Sequence, residues 1–245
     1  MARRRIDLLL VERGLAESRT QAQALVMAGA VVAGEARVDK PGQQVDEALP
    51  LRIKEGAGPQ RYVSRGALKL EKALEVFPVD PAGLTCADLG ASTGGFTDLL
   101  LQRGAARVYA VDVGYGQLHD RIRADPRVVV RERENARALT AEALGGRVEL
   151  VVGDLSFISL KLVLPAIKAI LEPGGWALLL VKPQFEVGKG EVGKGGVVRE
   201  DSKRLAALEA VSAAARELGF EVKGHVESPI QGPAGNREWL LALRR

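Results

Sequence analysis

The chain has 245 residues, of which 47% are apolar and 27% charged, and its formal net charge is +4 at pH 7. This length fits one large α/β domain or a small domain followed by a medium one. The single cysteine, Cys86, excludes an internal disulfide and a cysteine-based zinc site, and two histidines are too few to replace it. No apolar run approaches 18 residues and no cleavable leader is recognisable, so we expect a cytoplasmic protein without a membrane span.

The first sixty residues predict two short helices followed by a small sheet. An apolar run at 6–13 ends at Gly14, a natural helix stop. The next helix begins with a capping-box pattern, Ser18 followed three residues later by Gln21. Strand-like residues then flank Ala33-Gly34, and a second short strand pattern follows at 49–53.

An uncharged segment rich in glycine and proline, 56–60, is the predicted linker. It divides the chain into an N-terminal domain at 1–58 and a larger domain at 59–245. The N-terminal pattern resembles the S4 RNA-binding domain, through Asp7, Leu10, Gly14, Ser18-Arg19, Ala22 and the MAGAVVAG segment at 27–34. That resemblance implies RNA contacts from Arg3, Arg4, Arg5 and Arg19. A helical cap without any ligand is the alternative.

Beyond the linker, strand patterns alternate with helix patterns, which is typical of a mostly parallel, doubly wound sheet. The predicted helices lie at 65–76, 159–171 and 199–219. The predicted strands lie at 84–90, 106–114, 127–132, 148–155, 174–182, 220–227 and 238–244. Because only a loop joins the last two strands, we expect them to pair antiparallel. Cys86 lies inside the first strand and is interpreted as a core thiol.

The turn after the first strand carries glycines in the spacing D-x-G-x-x-x-G-G. A dinucleotide fingerprint would require glycine at position 92, where Ser92 stands. The spacing instead matches methyltransferases that use S-adenosylmethionine, in which the cofactor's amino-acid end lies against the backbone where a Cβ would intrude. Asp112 ends the second strand and is expected to accept the ribose hydroxyls. Asn135 follows the third strand, where its amide is expected to meet the adenine edge.

Together these positions predict a Rossmann-like, S-adenosylmethionine-dependent domain. The predicted cofactor-binding residues are Asp88, Gly90, Ala91, Ser92, Thr93, Gly94, Gly95, Phe96, Asp112, Asn135 and Asp154. A tight turn beside an unrelated surface carboxylate is the alternative explanation of the same pattern.

Four further polar residues border apolar runs, namely Lys69, Asp154, Lys182 and Glu238. Taken singly, each reads as a snorkelling lysine or a capping acid. Taken as a set at one edge of the predicted sheet, they indicate catalysis. The segments RYVSRGALKL, DLGASTGGFTD, GDLSFISL, KPQFEVGKG and GNREW resemble the TlyA (hemolysin A-like) family, an S4 domain fused to an FtsJ-type ribosomal RNA 2′-O-methyltransferase.

The resemblance implies that these four residues form a catalytic Lys-Asp-Lys-Glu tetrad and that Arg65 contacts RNA. It implies ribosomal RNA or a ribosomal subunit as partner; from the few cysteines and histidines and the short apolar runs we expect neither a metal nor a membrane to be involved. A large-subunit cytidine is the expected target because the chain stops at LALRR, whereas the MARRR start leaves the small subunit open as a second substrate. Lys182 either takes the proton of the 2′-hydroxyl or orients its oxygen, and the sequence does not decide between the two.

The loop at 188–194 spells G-x-x-x-x-G-K, close to a P-loop. A P-loop lysine is followed by serine or threonine, but Gly195 follows Lys194, so this interpretation fails. We expect a mobile flap in which Lys189 and Lys194 contact RNA phosphates, with a plain flexible loop as the alternative. The other functional hypotheses are a non-catalytic S4-type RNA-binding or ribosome-assembly protein, a small-molecule methyltransferase and a pore-forming hemolysin, for which no lytic helix is recognisable.

Overall fold

The computed structural model describes residues 3–16, 18–54, 61–188 and 190–245. The chain divides into two compact units, Met1–Arg61 and Tyr62–Arg245. The predicted boundary between 58 and 59 and the predicted linker at 56–60 both lie outside the described residues. In the described part of the chain, no helix is both long and apolar enough to cross a membrane.

In the described residues of the N-terminal unit, the chain forms two helices and two small antiparallel sheets. Its elements are β1 (Arg3–Arg5), α1 (Ile6–Glu12), α2 (Arg19–Met27), β2 (Val31–Ala33), β3 (Ala36–Arg37), β4 (Gln44–Asp46) and β5 (Leu51–Ile53). β1 pairs with β4, whereas β2 lies between β3 and β5. The buried faces of both helices, which include Leu10 and Val26, share one core with Val31 of β2.

The predicted local signals of this unit are confirmed. Ser18 is the N-cap of α2, and its hydroxyl accepts a hydrogen bond from the Gln21 backbone N–H at 3.2 Å. The chain reverses between β2 and β3 at Gly34, whose φ of +60° is a backbone conformation that glycine adopts without steric cost. The pairing of β1 with β4 was not predicted, because three consecutive arginines carry no strand pattern.

The C-terminal unit is a seven-stranded sheet covered by helices. Its strands are β6 (Thr85–Leu89), β7 (Arg107–Asp112), β8 (Val128–Glu132), β9 (Val148–Gly153), β10 (Leu171–Val181), β11 (Glu221–Glu227) and β12 (Trp239–Arg244). Its α-helices are α3 (Ala67–Val76), α4 (Gly95–Gln102), α5 (Asp120–Arg123), α6 (Ala141–Leu144), α7 (Leu164–Ile170), α8 (Pro183–Glu186) and α9 (Asp201–Glu217).

The strand order is β11-β12-β10-β9-β6-β7-β8. The five strands from β10 to β8 are parallel, and β12 runs antiparallel to both of its neighbours, as the sequence predicts for the last strand pair. Alternate residues of one strand enter opposite cores, as shown by Leu240 on one face and Leu241 on the other. Helices α3 and α4 cover one face and α7 and α9 cover the other, which makes the sheet doubly wound.

Two details sharpen the predictions for this unit. The predicted helix at 159–171 is divided into a 3₁₀ turn, Leu160–Leu162, and α7, which carries Pro165 in its first turn, where a missing N–H is tolerated. Cys86 is fully buried in the core beneath α3 and α4. Burial raises the pKa of its thiol to about 12, so the side chain stays protonated and is no nucleophile.

Candidate active site

The site lies where the strand order reverses, at the carboxyl ends of β6 and β9. Ligands of doubly wound sheets bind outside such switch points. Gly90 follows β6 with φ +82°, and a Cβ at this position would lie 2.9 Å from the backbone oxygen of Asp154. Glycine is therefore required there by the neighbouring strand end. Ser92 adopts φ +49° at the position where a dinucleotide fingerprint would carry glycine.

Asp112, at the end of β7, ties two loops together. Its carboxylate accepts hydrogen bonds from the backbone N–H of Ser92 at 2.8 Å and of Gly114 at 2.7 Å. Together with Asn135, it lines a cavity of about 480 Å³. The Asn135 side-chain oxygen caps a 3₁₀ turn by accepting from Arg137 N–H at 3.0 Å, a cap that does not use the amide NH₂ group. The cavity thus offers a carboxylate for a ribose and an amide donor for a base edge.

Asp88 is fully buried on β6 and faces a second cavity of about 410 Å³. One carboxylate oxygen accepts from the Thr97 backbone N–H at 3.0 Å and from the Thr97 hydroxyl at 2.7 Å. The other oxygen has no hydrogen-bond partner among the described residues. Burial raises the pKa of Asp88 to about 7. A buried acceptor without a partner is costly, so a cationic or donor group of a ligand would be favoured at this point.

The four residues of the predicted tetrad come together as a row of alternating charges. Glu238 accepts from Lys69 Nζ at 2.7 Å, and Lys69 Nζ lies 3.5 Å from one oxygen of Asp154. The other oxygen of Asp154 lies 2.6 Å from Lys182 Nζ, which also donates to the Ser156 hydroxyl at 2.7 Å. Four different elements supply the row: helix α3, the segments after β9 and β10, and the turn before β12.

Burial confirms the expectation that these side chains lie at the rim of the core. Glu238 is fully buried, and Lys69 and Lys182 are 6% and 8% exposed. Taking charges out of water is costly unless they are paired, so the alternation of sign is what permits the cluster to exist. In this row, Asp154 is the link between the two lysines.

The two cavities meet at Asp154 of the tetrad. They share four lining residues, Gly90, Ser92, Asp154 and Ser156. The 410 Å³ cavity adds Lys69, Lys182 and most of the predicted glycine-turn residues, namely Ala91, Thr93, Gly95 and Phe96. Gly94 is instead the N-cap of α4, with φ +93°, and a Cβ there would lie 2.8 Å from Leu118 Cδ1. A ligand that fills the 480 Å³ cavity can therefore present a group beside Lys182.

The predicted RNA-binding residues have different environments. Arg3 and Arg4 are exposed on β1, and Arg4 pairs with Glu12 at 2.8 Å. Arg5 and Arg19 both bind Asp7. Arg65 is exposed and lines the 410 Å³ cavity, whereas Lys194 is exposed outside the residues lining either cavity. Lys189 lies outside the described residues.

Two residues of the site, Phe157 and Asn236, were not predicted from the sequence. Phe157 is 91% exposed, with φ +64°, and lines the 480 Å³ cavity; its ring centroid lies 5.3 Å from that of Phe185. Asn236 is buried, accepts from Val198 N–H at 2.9 Å and donates to the Gly196 carbonyl at 2.8 Å, so it anchors the end of the predicted flap. The only sequence signal for Phe157 was its position three residues after Asp154, which directly follows β9.

Residues 62–245 match the family model of FtsJ-like methyltransferases, and residues 4–48 match the S4 domain. With the sheet order and paired cavities above, these matches define the class: an S4 domain joined to an FtsJ-like methyltransferase.

Full-length relatives narrow this class. The chain is 54% identical over 245 residues to the 16S/23S rRNA (cytidine-2′-O)-methyltransferase TlyA of Mycobacterium tuberculosis, covering 100% of this chain and 91% of that protein. It is 39% identical to the 23S rRNA (cytidine-2′-O)-methyltransferase TlyA of Campylobacter jejuni, covering 73% and 69%. A solved structure described as a hemolysin from Streptococcus thermophilus has a TM-score of 0.76 and 48% identity, covering 100% and 89%. The chain belongs to the TlyA family.

Proposed function

We propose that this protein transfers a methyl group from S-adenosylmethionine to the 2′-hydroxyl of a cytidine in ribosomal RNA. The carrying observation is the row formed by Glu238, Lys69, Asp154 and Lys182, in which both lysines line one cavity and Asp154 lines both. A non-catalytic RNA-binding protein would have no need to bury three charged groups around a partly buried aspartate beside a nucleoside-sized cavity.

The residues around the cavities fit the cofactor. The Asp112 carboxylate has acceptor capacity left for ribose hydroxyls, and the Asn135 amide has donors for the adenine edge. The unpartnered oxygen of Asp88 suits the α-ammonium group of the methionine part. When bound, S-adenosylmethionine supplies a methyl group on a positively charged sulfur.

The chain's own contribution is to hold the acceptor hydroxyl in line. In-line transfer requires the attacking oxygen, the methyl carbon and the sulfur to be collinear, so positioning supplies much of the rate. Lys182 Nζ is fixed by Asp154 and by Ser156. The remaining site on Nζ either donates an N–H hydrogen bond to the 2′-oxygen or, as a lone pair, takes the proton of the hydroxyl. Lys69 and Glu238 keep Asp154 in place.

RNA recognition is assigned to basic residues of both units. The S4-type unit offers Arg3, Arg4, Arg5 and Arg19, and the methyltransferase unit offers Arg65, Lys189 and Lys194, for contacts with phosphates. Phe157 is available to stack on a base next to the target, since aromatic side chains stack on bases of any sequence.

We propose a large-subunit cytidine as the primary target, and therefore action in the cytoplasm. The M. tuberculosis relative is named for both subunits and the C. jejuni relative for the large subunit alone. Both names include the large-subunit RNA, which supports a large-subunit target for this protein. The small subunit is a second candidate substrate, to be measured separately.

The test presents isolated large and small ribosomal subunits from a strain lacking the gene to the purified protein with isotope-labelled S-adenosylmethionine. Label is expected in large-subunit RNA. Cofactor affinity, measured separately by calorimetry, separates the alternatives: binding without transfer to either subunit would contradict rRNA methylation, and the absence of binding would contradict the cofactor assignment.

A further inference from the structure

A buried carboxylate organises two of the arginines in the N-terminal unit. Asp7 lies in the first turn of α1 and is fully buried. Arg5, at the end of β1, donates from Nε at 3.0 Å and from Nη2 at 2.9 Å, one bond to each oxygen of Asp7. Arg19 and Gln23 of α2 donate to one of these oxygens at 3.0 and 3.1 Å.

Four hydrogen bonds reach this carboxylate, three on one oxygen and one on the other. They hold the pKa of Asp7 well below its usual range, with the Arg5 hydrogen bonds as the largest cause. Asp7 therefore stays charged at any physiological pH. Two guanidinium groups and one carboxylate leave the cluster with a net charge of +1.

The two guanidinium groups keep donors for a further ligand. Each has five N–H donors, and Asp7 uses two from Arg5 and one from Arg19. The side chains remain 39% and 54% exposed, although the carboxylate that binds them is inaccessible. Each guanidinium group is thus held by the buried carboxylate and is also accessible to solvent, which is the arrangement required to bind phosphate oxygens through planar donors.

We propose that Asp7 is a positioning residue for RNA binding, which holds Arg5 and Arg19 as a fixed pair that engages neighbouring phosphates of the RNA backbone. This inference rests on the proposed function. A free arginine loses rotamer freedom when it binds, and fixing the side chain beforehand removes part of that cost. The Arg4–Glu12 pair differs, because its carboxylate is 55% exposed whereas that of Asp7 is fully buried.

Removal of the Asp7 charge should change RNA affinity in the direction opposite to that expected from net charge alone. A carboxylate close to RNA repels phosphates, so its removal should tighten binding if net charge were all that mattered. Asp7→Asn removes the negative charge and replaces one of the two acceptor oxygens with an NH₂ donor, so the side chain can no longer hold both arginines and we expect weaker binding. Glu12→Gln makes the same change of charge in the same unit without touching Asp7, and serves as the matched control.

The experiment measures the affinity of the full chain for large ribosomal subunits from a strain lacking the gene, over a range of salt concentrations. Asp7→Asn is expected to weaken binding about 10-fold. Because one phosphate contact is lost, the plot of log K against log salt should also become shallower, its negative slope losing about one in magnitude. Glu12→Gln is expected to bind as tightly as wild type or more tightly. In turnover assays, Asp7→Asn should raise KM for the subunit and leave kcat unchanged.

Asp7→Asn that is folded, as judged by circular dichroism, and binds as tightly as wild type would overturn the inference. If that variant does not fold, Arg5→Lys and Arg19→Lys decide, since both preserve charge but lose the planar donors. The proposal expects about 10-fold weaker binding from their combination, and unchanged affinity would overturn it. Failure of the wild-type chain to bind the subunits would instead contradict the proposed function.

Discussion

The buried pair formed by Lys69 and Glu238 makes a strong prediction about stability. Glu238 is fully buried, and Lys69 Nζ at 2.7 Å is its partner in the described part of the chain. Its second carboxylate oxygen has no hydrogen-bond partner among the described residues. Lys69→Met would leave this carboxylate buried without a cation. Glu238→Gln is milder, because Lys69 keeps Asp154 at 3.5 Å.

Removing one partner of a buried ion pair costs about 3–5 kcal/mol. A domain of this size loses roughly 2–4 °C of melting temperature per kcal/mol, so Lys69→Met should melt about 6–20 °C below wild type. The double variant Lys69→Met/Glu238→Gln removes the charge and the cation together. It should recover about 2 kcal/mol relative to the sum of the single changes.

The assay is thermal unfolding of the four proteins, followed by calorimetry or circular dichroism. The control is Lys72→Met on the same helix, because Lys72 pairs with Glu75 at 3.2 Å on the surface and such a pair contributes about 1 kcal/mol or less. The reasoning would be refuted if Lys69→Met melted within 2 °C of wild type, which is about the size of the control effect. It would also be refuted if the double variant were no more stable than Lys69→Met.

Three other predictions concern the cavities. Asp112→Ala should weaken cofactor binding roughly 10- to 100-fold through lost charge-assisted hydrogen bonds, and an unchanged Kd in calorimetry would contradict the ribose assignment. Burial raises the pKa of Asp88 to about 7, so its contribution to stability falls as pH rises from about 4 to about 7. Asp88→Asn should therefore gain stability relative to wild type over the same pH range, and a difference in melting temperature that does not change with pH would exclude this cause. Phe157→Ala should melt like wild type but lower kcat/KM for ribosomal subunits about 5- to 100-fold, whereas equal kcat/KM would remove Phe157 from RNA recognition.

The sequence predicted the site where local patterns coincide with the edge of the sheet. The ends of parallel strands meet at one edge, so Asp112, Asp154 and Lys182 could be placed together from their positions after apolar runs. Glu238 comes from the start of an antiparallel strand, which reaches the same edge because its direction is reversed.

What the sequence did not predict depends on partners distant in the chain. β1 forms because Arg3–Arg5 pairs with Gln44–Asp46, about forty residues away. The burial of Asp7 carries no signal in the sequence, because it depends on hydrogen bonds from Arg5, Arg19 and Gln23. Charged residues carry no periodic signal that distinguishes a solvated side chain from one that is buried and paired.

The loop at 188–194 shows the same limit. Its glycines indicated a flap, but the anchoring of the following segment by Asn236 could not be read from their spacing. Asn236 belongs to the loop between β11 and β12 that leads into Glu238, so the end of the flap and a tetrad residue are held by neighbouring positions of one loop.

The central claim is tested most directly by mass-spectrometric mapping of large-subunit RNA from a strain lacking the gene, after incubation with S-adenosylmethionine and either wild-type protein or Lys182→Met. We expect one new 2′-O-methylcytidine with wild type and none with Lys182→Met, which should still bind the cofactor and the subunit. No new 2′-O-methyl group with the wild-type protein, or an equal yield from Lys182→Met, would contradict the account.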